Sequence, residues 1–302
     1  KHKTTYLAAT PEERRAKLMP FLWSEVVTRG QLIGNRDRGG DMQVANSEHF
    51  SYPGYQELLA GFPDALITSN APIPNRNVTV LEWLHHREAF AGKVAACASW
   101  HVIGPIINPG RSKIPVWVSS QNPALAAQSP RYADLDRLMR DIPIKAGDEH
   151  YDGFTYHATL EMIARRQPRV LYVSLGEPDT NAHARKYHAY LESIARCDRF
   201  IRELWELLQS QEAYRGKTTL IVTTDHGRGR TPTDWKDHNK KTPGSSETWA
   251  AILGPYTPAL GERTKHTPIT SAQIAATVAA AVGEDYHAAT PAAAPAIPGA
   301  IQ

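Results

Sequence analysis

The chain predicts an α/β fold: a three-layer α/β/α sandwich whose central sheet is mostly parallel. Three observations predict it. Helical and strand-like patterns alternate along the sequence, which places helices on both faces of one sheet. Two short apolar runs, Val170-Leu171-Tyr172-Val173 and Leu220-Ile221-Val222, read as buried parallel strands. Each run leads into a polar segment with an Asp and a His, Glu177 to His183 and Thr223 to Gly227, just past the carboxyl end of the strand, where open α/β sheets build their ligand sites.

The elements follow in order. Pro11 to Gly30 reads as an opening helix, with Glu12 and Glu13 in its first turn and Gly30 as its stop. Gln31 to Ile33 is a short strand. Pro53 followed by a helix-forming run puts Ser51 at a helix N-terminus. Asn77 to Phe90 carries Val78, Leu81 and Leu84 at helical spacing, and Lys93 to Trp100 is a strand. Residues 105–147 are richer in Pro, Ser and Gly and less periodic, which predicts an insertion or cap beside the sheet. Tyr156 to Arg165 and Ala182 to Leu208 read as helices, Trp249 to Leu253 as a strand, and Ser271 to Val282 as the last ordered element. The Ala/Pro-rich tail from Ala288 is expected to be extended and poorly structured. The organisation expected is one catalytic-size domain over residues 1–302.

Composition narrows the class. A chain of 302 residues with 41% apolar content can bury a large core, and no apolar run reaches membrane-spanning length. A net charge of +3 with dispersed basic residues argues against nucleic acid as the main partner. Cys97 and Cys197 are far apart and fit no metal-ligand spacing, which leaves a single bridge open.

The chemistry centres on a few side chains. At a helix N-terminus, backbone N–H groups and the helix dipole favour an anion, so Ser51 is either an ordinary helix-capping serine or a nucleophile activated by a divalent cation. Asp179 and His183 lie four residues apart, so a turn entering the following helix brings both side chains to one point. Asp225 and His226 are adjacent, and two such Asp/His pairs look like a dinuclear metal centre. His238 lies in a polar loop that by spacing alone is exposed to solvent. Asn70 precedes Pro72 and reads equally as a turn residue. Arg228 and Arg230 follow the Asp-His-Gly motif as candidate contacts to substrate phosphate, or as solvated loop charges.

The order Ser51, Asp179 with His183, Asp225-His226-Gly227 and His238 resembles the alkaline phosphatase superfamily, most closely its nucleotide pyrophosphatase and phosphodiesterase branch and the sulfatase-like hydrolases of bacteria. The resemblance runs from about Thr10 onward and implies an alkaline-phosphatase-like fold. It also implies that one metal is held by Asp179, His183 and His238, and the other by Asp225, His226 and the Ser51 oxygen. Two histidines and one carboxylate suit zinc, so two zinc ions are the expected cofactors. The implied reaction is a two-step displacement at phosphorus on a small phosphoester, monoester or diester: Ser51 attacks in line, a phosphoryl serine forms, and water releases it. An Asn at the spacing of Asn70 donates to a phosphate oxygen in phosphodiesterase relatives. Sulfatases carry Cys or Ser, then Pro two residues on, then Arg; here Tyr55 stands where the Arg would be, so a formylglycine is not expected. Relatives also begin with a strand ending in a metal-binding Asp. Asp37 and Asp41, in a polar loop, do not fit it, so that strand is expected upstream of Lys1, and without it the neighbouring strands would expose apolar faces. A catalytically inactive relative kept for binding is the alternative reading. The resemblance implies a secreted or periplasmic setting.

Overall fold

The computed structural model describes residues 5–118, 122–142, 149–264 and 266–302, so residues 119–121 and 143–147 of the expected cap lie outside the described residues. Among the described residues nine strands follow in chain order: β1 (Gln31–Ile33), β2 (Met42–Gln43), β3 (Val94–Ala98), β4 (Val116–Trp117), β5 (Val170–Ser174), β6 (Leu220–Thr223), β7 (Ala250–Leu253), β8 (Gly261–Glu262) and β9 (Ile269–Thr270). The chain divides into two units: Asn70–Ser193, and Lys1–Ser69 with Ile194–Gln302.

In the Asn70–Ser193 unit the sheet order is β4-β3-β5 and every pairing is parallel. Central β3, Val-Ala-Ala-Cys-Ala, is buried at every position, as a strand covered on both faces requires. Its register runs from Val94 opposite Val170 to Ala98 opposite Ser174. Trp117, Tyr132, Leu135, Met139 and Met162 form the core cluster, joining the helices Pro130–Asp141 and Asp152–Arg166 to the sheet. The segment expected to be irregular contributes β4 and short helices. Pro109, Pro123 and Pro130 each sit in the first turn of one, where a missing N–H costs nothing. The expected helix from Ala182 to Leu208 is two, Glu177–His183 and Tyr187–Ser210, broken where Arg185 takes a φ of 59°.

In the other unit the sheet order is β6-β7-β1-β8. Here β7 runs antiparallel to both β6 and β1, and β8 runs parallel to β1. Sequence alone gives β6 as a buried parallel strand. It stands instead at the end of its sheet, antiparallel to β7 and intermediate in burial throughout, and β5 is likewise only partly buried between its two ends. A strand with one neighbour lacks cover on its other side.

The expected Pro11–Gly30 helix breaks after Leu18 and resumes as a single π-turn, Leu22–Val26. Pro20 cannot continue the hydrogen-bond ladder. The buried Asp198 carboxylate accepts the Phe21 and Leu22 amides at 2.9 Å each. Gly30 does end the segment, because a Cβ there would lie 2.0 Å from the Ile252 carbonyl oxygen of β7. Phe21, Leu22, Val26, Leu32 and Leu253 make this unit's core.

The tail is neither extended throughout nor poorly structured: a short helix, Tyr286–Ala289, follows the expected last element, and the turns after it are firmly held. Ala293, Ile297 and Ala300 are buried, and Ala294 N donates to Gly61 O at 2.7 Å, Ile297 N to Thr277 Oγ1 at 2.9 Å, and Gln302 N to Tyr256 O at 2.8 Å. Ala and Pro lose almost no side-chain entropy on docking, so few contacts suffice to order them. Cys97 and Cys197 form no disulfide.

Candidate active site

Ser51 is the first residue of the helix Ser51–Ala60, preceded by Phe50 in an extended conformation that supplies no side-chain cap. No side chain caps this N-terminus, so the helix dipole favours an anion in front of Ser51, although Pro53 carries no N–H and Gly54 N donates to Phe50 O at 3.0 Å. Gly54, one turn on, brings this helix against the loop after β6: a Cβ at Gly54 would lie 2.3 Å from the Asp225 carbonyl oxygen.

That loop carries Asp225 and His226, whose side chains are only 15% and 5% exposed. His226 Nδ1 lies 2.8 Å from Gly227 O, a contact that an imidazole makes only by donating. Nε2 then keeps its lone pair, and it lies 3.4 Å from Ser51 Oγ and 3.3 Å from Asp225 Oδ2. A lone pair facing a carboxylate oxygen at that distance is repulsive unless a proton or a cation lies between them. This donor set fits a metal ion, with the outer nitrogen held by a carbonyl as metal-binding histidines commonly are. Gly227 is dictated by space, since a Cβ would lie 2.2 Å from Gly244 O and 2.3 Å from Glu247 O.

His238 does not stand apart in solvent. Its ring stacks on His226 with centroids 3.8 Å apart and planes 24° apart, and its Nδ1 lies 3.4 Å from His49 O. The stack needs the chain between the two rings to fold back on itself, as it does where Gly229 N donates to Asp237 O at 3.0 Å, and the sequence gives no sign of that.

In the Asn70–Ser193 unit, Asp179 and His183 both lie on the helix Glu177–His183 rather than on a turn before one. Asp179 Oδ2 is 3.2 Å from His183 Nε2, with the side chains 30% and 44% exposed. The start of that helix is fixed by the buried Asp152, which accepts from Ser99 Oγ at 2.6 Å, Gly176 N at 2.8 Å and Glu177 N at 3.2 Å, while Asp152 N donates to Glu177 Oε2 at 2.9 Å. Burial, and then the Glu177 charge, push the Asp152 carboxyl up to about 7. Thr180 Oγ1 donates to Glu149.

Asn70 is exposed in the coil before the helix Val80–His85. Arg228 Nη1 reaches Trp235 O at 3.5 Å, whereas Arg230 pairs with Glu247. Asp41 pairs with Arg36 at 2.6 Å. Sequence reasoning overlooked Glu57, Asn46 and His49. A single Glu six residues into an otherwise apolar-to-neutral helix was the available signal, because a charge there is either solvated or held by several donors.

Residues 40–290 match the family described as type I phosphodiesterase / nucleotide pyrophosphatase. The chain belongs to that family. It is thereby a hydrolase of the alkaline phosphatase superfamily, and solved structures agree on the fold. The alkaline phosphatase PafA superimposes with a TM-score of 0.63 at 10% identity, over 92% of this chain and 93% of that one. The phosphonate monoester hydrolase of Agrobacterium radiobacter gives 0.57 at 14% identity over 88% and 69%. A 2-O GAG sulfatase gives 0.56 at 11% identity over 90% and 67%. No curated protein sequence matches the chain. No helix among the described residues is long and apolar enough to cross a membrane.

Proposed function

We propose that this phosphodiesterase-family chain hydrolyses phosphoric esters with Ser51 as nucleophile at a dinuclear zinc centre. The observation that carries the reading is the orientation of His226: its Nδ1–H is committed to Gly227 O, and its Nε2 lone pair faces both Ser51 Oγ and Asp225 Oδ2. We assign Asp225, His226 and the Ser51 oxygen to one ion, and Asp179, His183 and His238 to the other. The ions supply positive charge that lowers the pKa of the attacking hydroxyl and neutralises charge on the leaving oxygen.

The residues then divide the work. Ser51 Oγ forms its bond to phosphorus as the bond to the ester leaving group breaks, and in the second half water forms the new P–O bond as the Ser51–phosphorus bond breaks. The positive end of the Ser51–Ala60 helix dipole stabilises the negative phosphoryl oxygens. Asn70 donates to a non-bridging oxygen, and Arg228 contributes charge to substrate binding. The family likeness supports a periplasmic or secreted bacterial setting.

Ser51→Ala in zinc-loaded protein tests the assignment. Turnover of an aryl phosphodiester or monoester should vanish with zinc content nearly unchanged. Unaltered turnover would remove Ser51 from the mechanism, and a zinc-loaded parent without turnover of either ester would make this chain a binding relative instead.

A further inference from the structure

Glu57 is a fully buried carboxylate outside the residues assigned above, and three backbone amides and one side-chain amide converge on it. Its oxygens accept from Ala45 N at 2.8 and 2.9 Å, Asn46 N at 2.8 Å, Asn46 Nδ2 at 2.9 Å and Ala272 N at 3.1 Å. Burial pushes this carboxyl up and each of those donors pulls it back, which is the balance of a carboxylate kept for what it holds.

What it holds is the loop in front of the nucleophile. Asn46, fixed through its backbone and its Nδ2, turns its Oδ1 to the amides of Glu48 at 3.1 Å and His49 at 3.0 Å, closing an Asx turn. His49 leaves that turn at a φ of 55°, a left-handed conformation that a non-glycine residue keeps only when its neighbours impose it. Two consequences follow from the position of His49. Its carbonyl faces His238 Nδ1 at 3.4 Å, which makes Nδ1 the protonated nitrogen and turns the Nε2 lone pair outward. The next two residues are Phe50 and Ser51, so the same turn sets the angle at which the chain enters the nucleophile helix.

We propose that Glu57 and Asn46 are positioning residues of the hydrolase: through the His49 turn they fix the tautomer of His238 and the direction of Ser51 Oγ. The inference rests on the metal-hydrolase reading above. Outer partners that orient a metal-binding histidine ordinarily change metal affinity or activity by about 10–100-fold when removed.

Two variants and one control decide it. Glu57→Gln keeps the shape but turns an N–H₂ toward donors; Asn46→Ala removes the turn acceptor and leaves Glu57 its bonds to Ala45, Ala272 and the residue 46 amide. Gln56→Leu is the control. Gln56 is buried on the same helix and donates to Phe62 O at 2.8 Å, away from the loop. For each zinc-loaded protein, zinc affinity is read by competition with a chromophoric chelator, the His238 tautomer by ¹⁵N NMR of the imidazole, and kcat and KM on an aryl phosphodiester. Expected in Glu57→Gln and Asn46→Ala are about a 10-fold or greater weakening of the looser zinc, loss of the Nδ1–H signature, and a fall in kcat with KM within about twofold. Gln56→Leu should lower the melting temperature and leave zinc affinity and tautomer alone. Parental zinc affinity and tautomer in both folded loop variants would overturn the proposal, and so would an equal loss in Gln56→Leu, which would mark general softening. If Glu57→Gln does not fold, Asn46→Ala alone decides. A parent that neither binds zinc nor hydrolyses ester would overturn the metal-hydrolase reading and this inference with it.

Discussion

The two Asp/His pairs are built in opposite ways. Asp179 and His183 face each other because four residues of one short helix put them there, and they stay 30% and 44% exposed. Asp225 and His226 are neighbours in sequence on a loop, which guarantees nothing about where their side chains point. Their geometry comes from a distant helix pressed against Asp225 at Gly54, from a carbonyl at Gly227, and from the ring of His238. One pair is organised locally and the other by the tertiary fold, so damage should reach them differently.

Gly54→Ala should break the contrast most severely. Its Cβ meets backbone that cannot rotate away, so the nucleophile helix must shift off Asp225. Stability should fall by about 3 kcal/mol or more, and turnover to background, while zinc still binds the Asp179/His183 side. Calorimetry and zinc titration on the same sample check it, and normal turnover in a stable variant would show that the approach at Gly54 is not needed.

Asp225→Asn set against Asp179→Asn sharpens the comparison. Each removes one carboxylate charge, worth several kcal/mol of transition-state stabilisation or about a thousandfold in kcat. The buried Asp225 site should also lose its zinc, whereas the solvated Asp179 site should retain it weakly. Equal zinc loss in elemental analysis would mean that burial does not distinguish them.

The locally built pair has a tertiary dependence at Asp152. Its carboxyl is held at about 7 in the fold against an ordinary 3.8, so the folded chain keeps a proton that the unfolded chain has released. That contribution to stability is complete below pH 3.8 and is lost as pH rises through about 7. Asp152→Asn should flatten the stability profile across that window by about 4 kcal/mol at most. Urea titrations at pH 5 and pH 8 that show the same difference between parent and variant would refute the linkage.

The smallest effect is expected at Arg230, which is 57% exposed and paired with Glu247. Arg230→Ala should change stability by less than about 1 kcal/mol and leave KM alone, whereas Arg228→Ala should raise KM; steady-state kinetics on the two variants separates them.

The same division explains what could be read from the sequence. The α/β alternation, Ser51 opening a helix, the two Asp/His pairs and the Gly30 stop were legible because each depends on neighbours within a turn or two. The direction of β6, the stacking of His238, the break at Pro20 and the Glu57–Asn46 turn were not, because each depends on a partner far along the chain. Composition misled outright at the tail: Ala and Pro suggested a loose end, and their small side chains are what let it dock.

Glu57 accepts the amide of Ala272, 215 positions further along, and the C-cap Gly61 of the same helix gives its carbonyl to Ala294. During synthesis the helix Ser51–Ala60 leaves the ribosome long before the backbone that its second half binds, the Ala272 amide following Glu57 by 215 positions. A nascent chain thus carries Ser51 on an unfinished support, and the ester hydrolysis proposed above should switch on only once the backbone at Ala272 and Ala294 has docked.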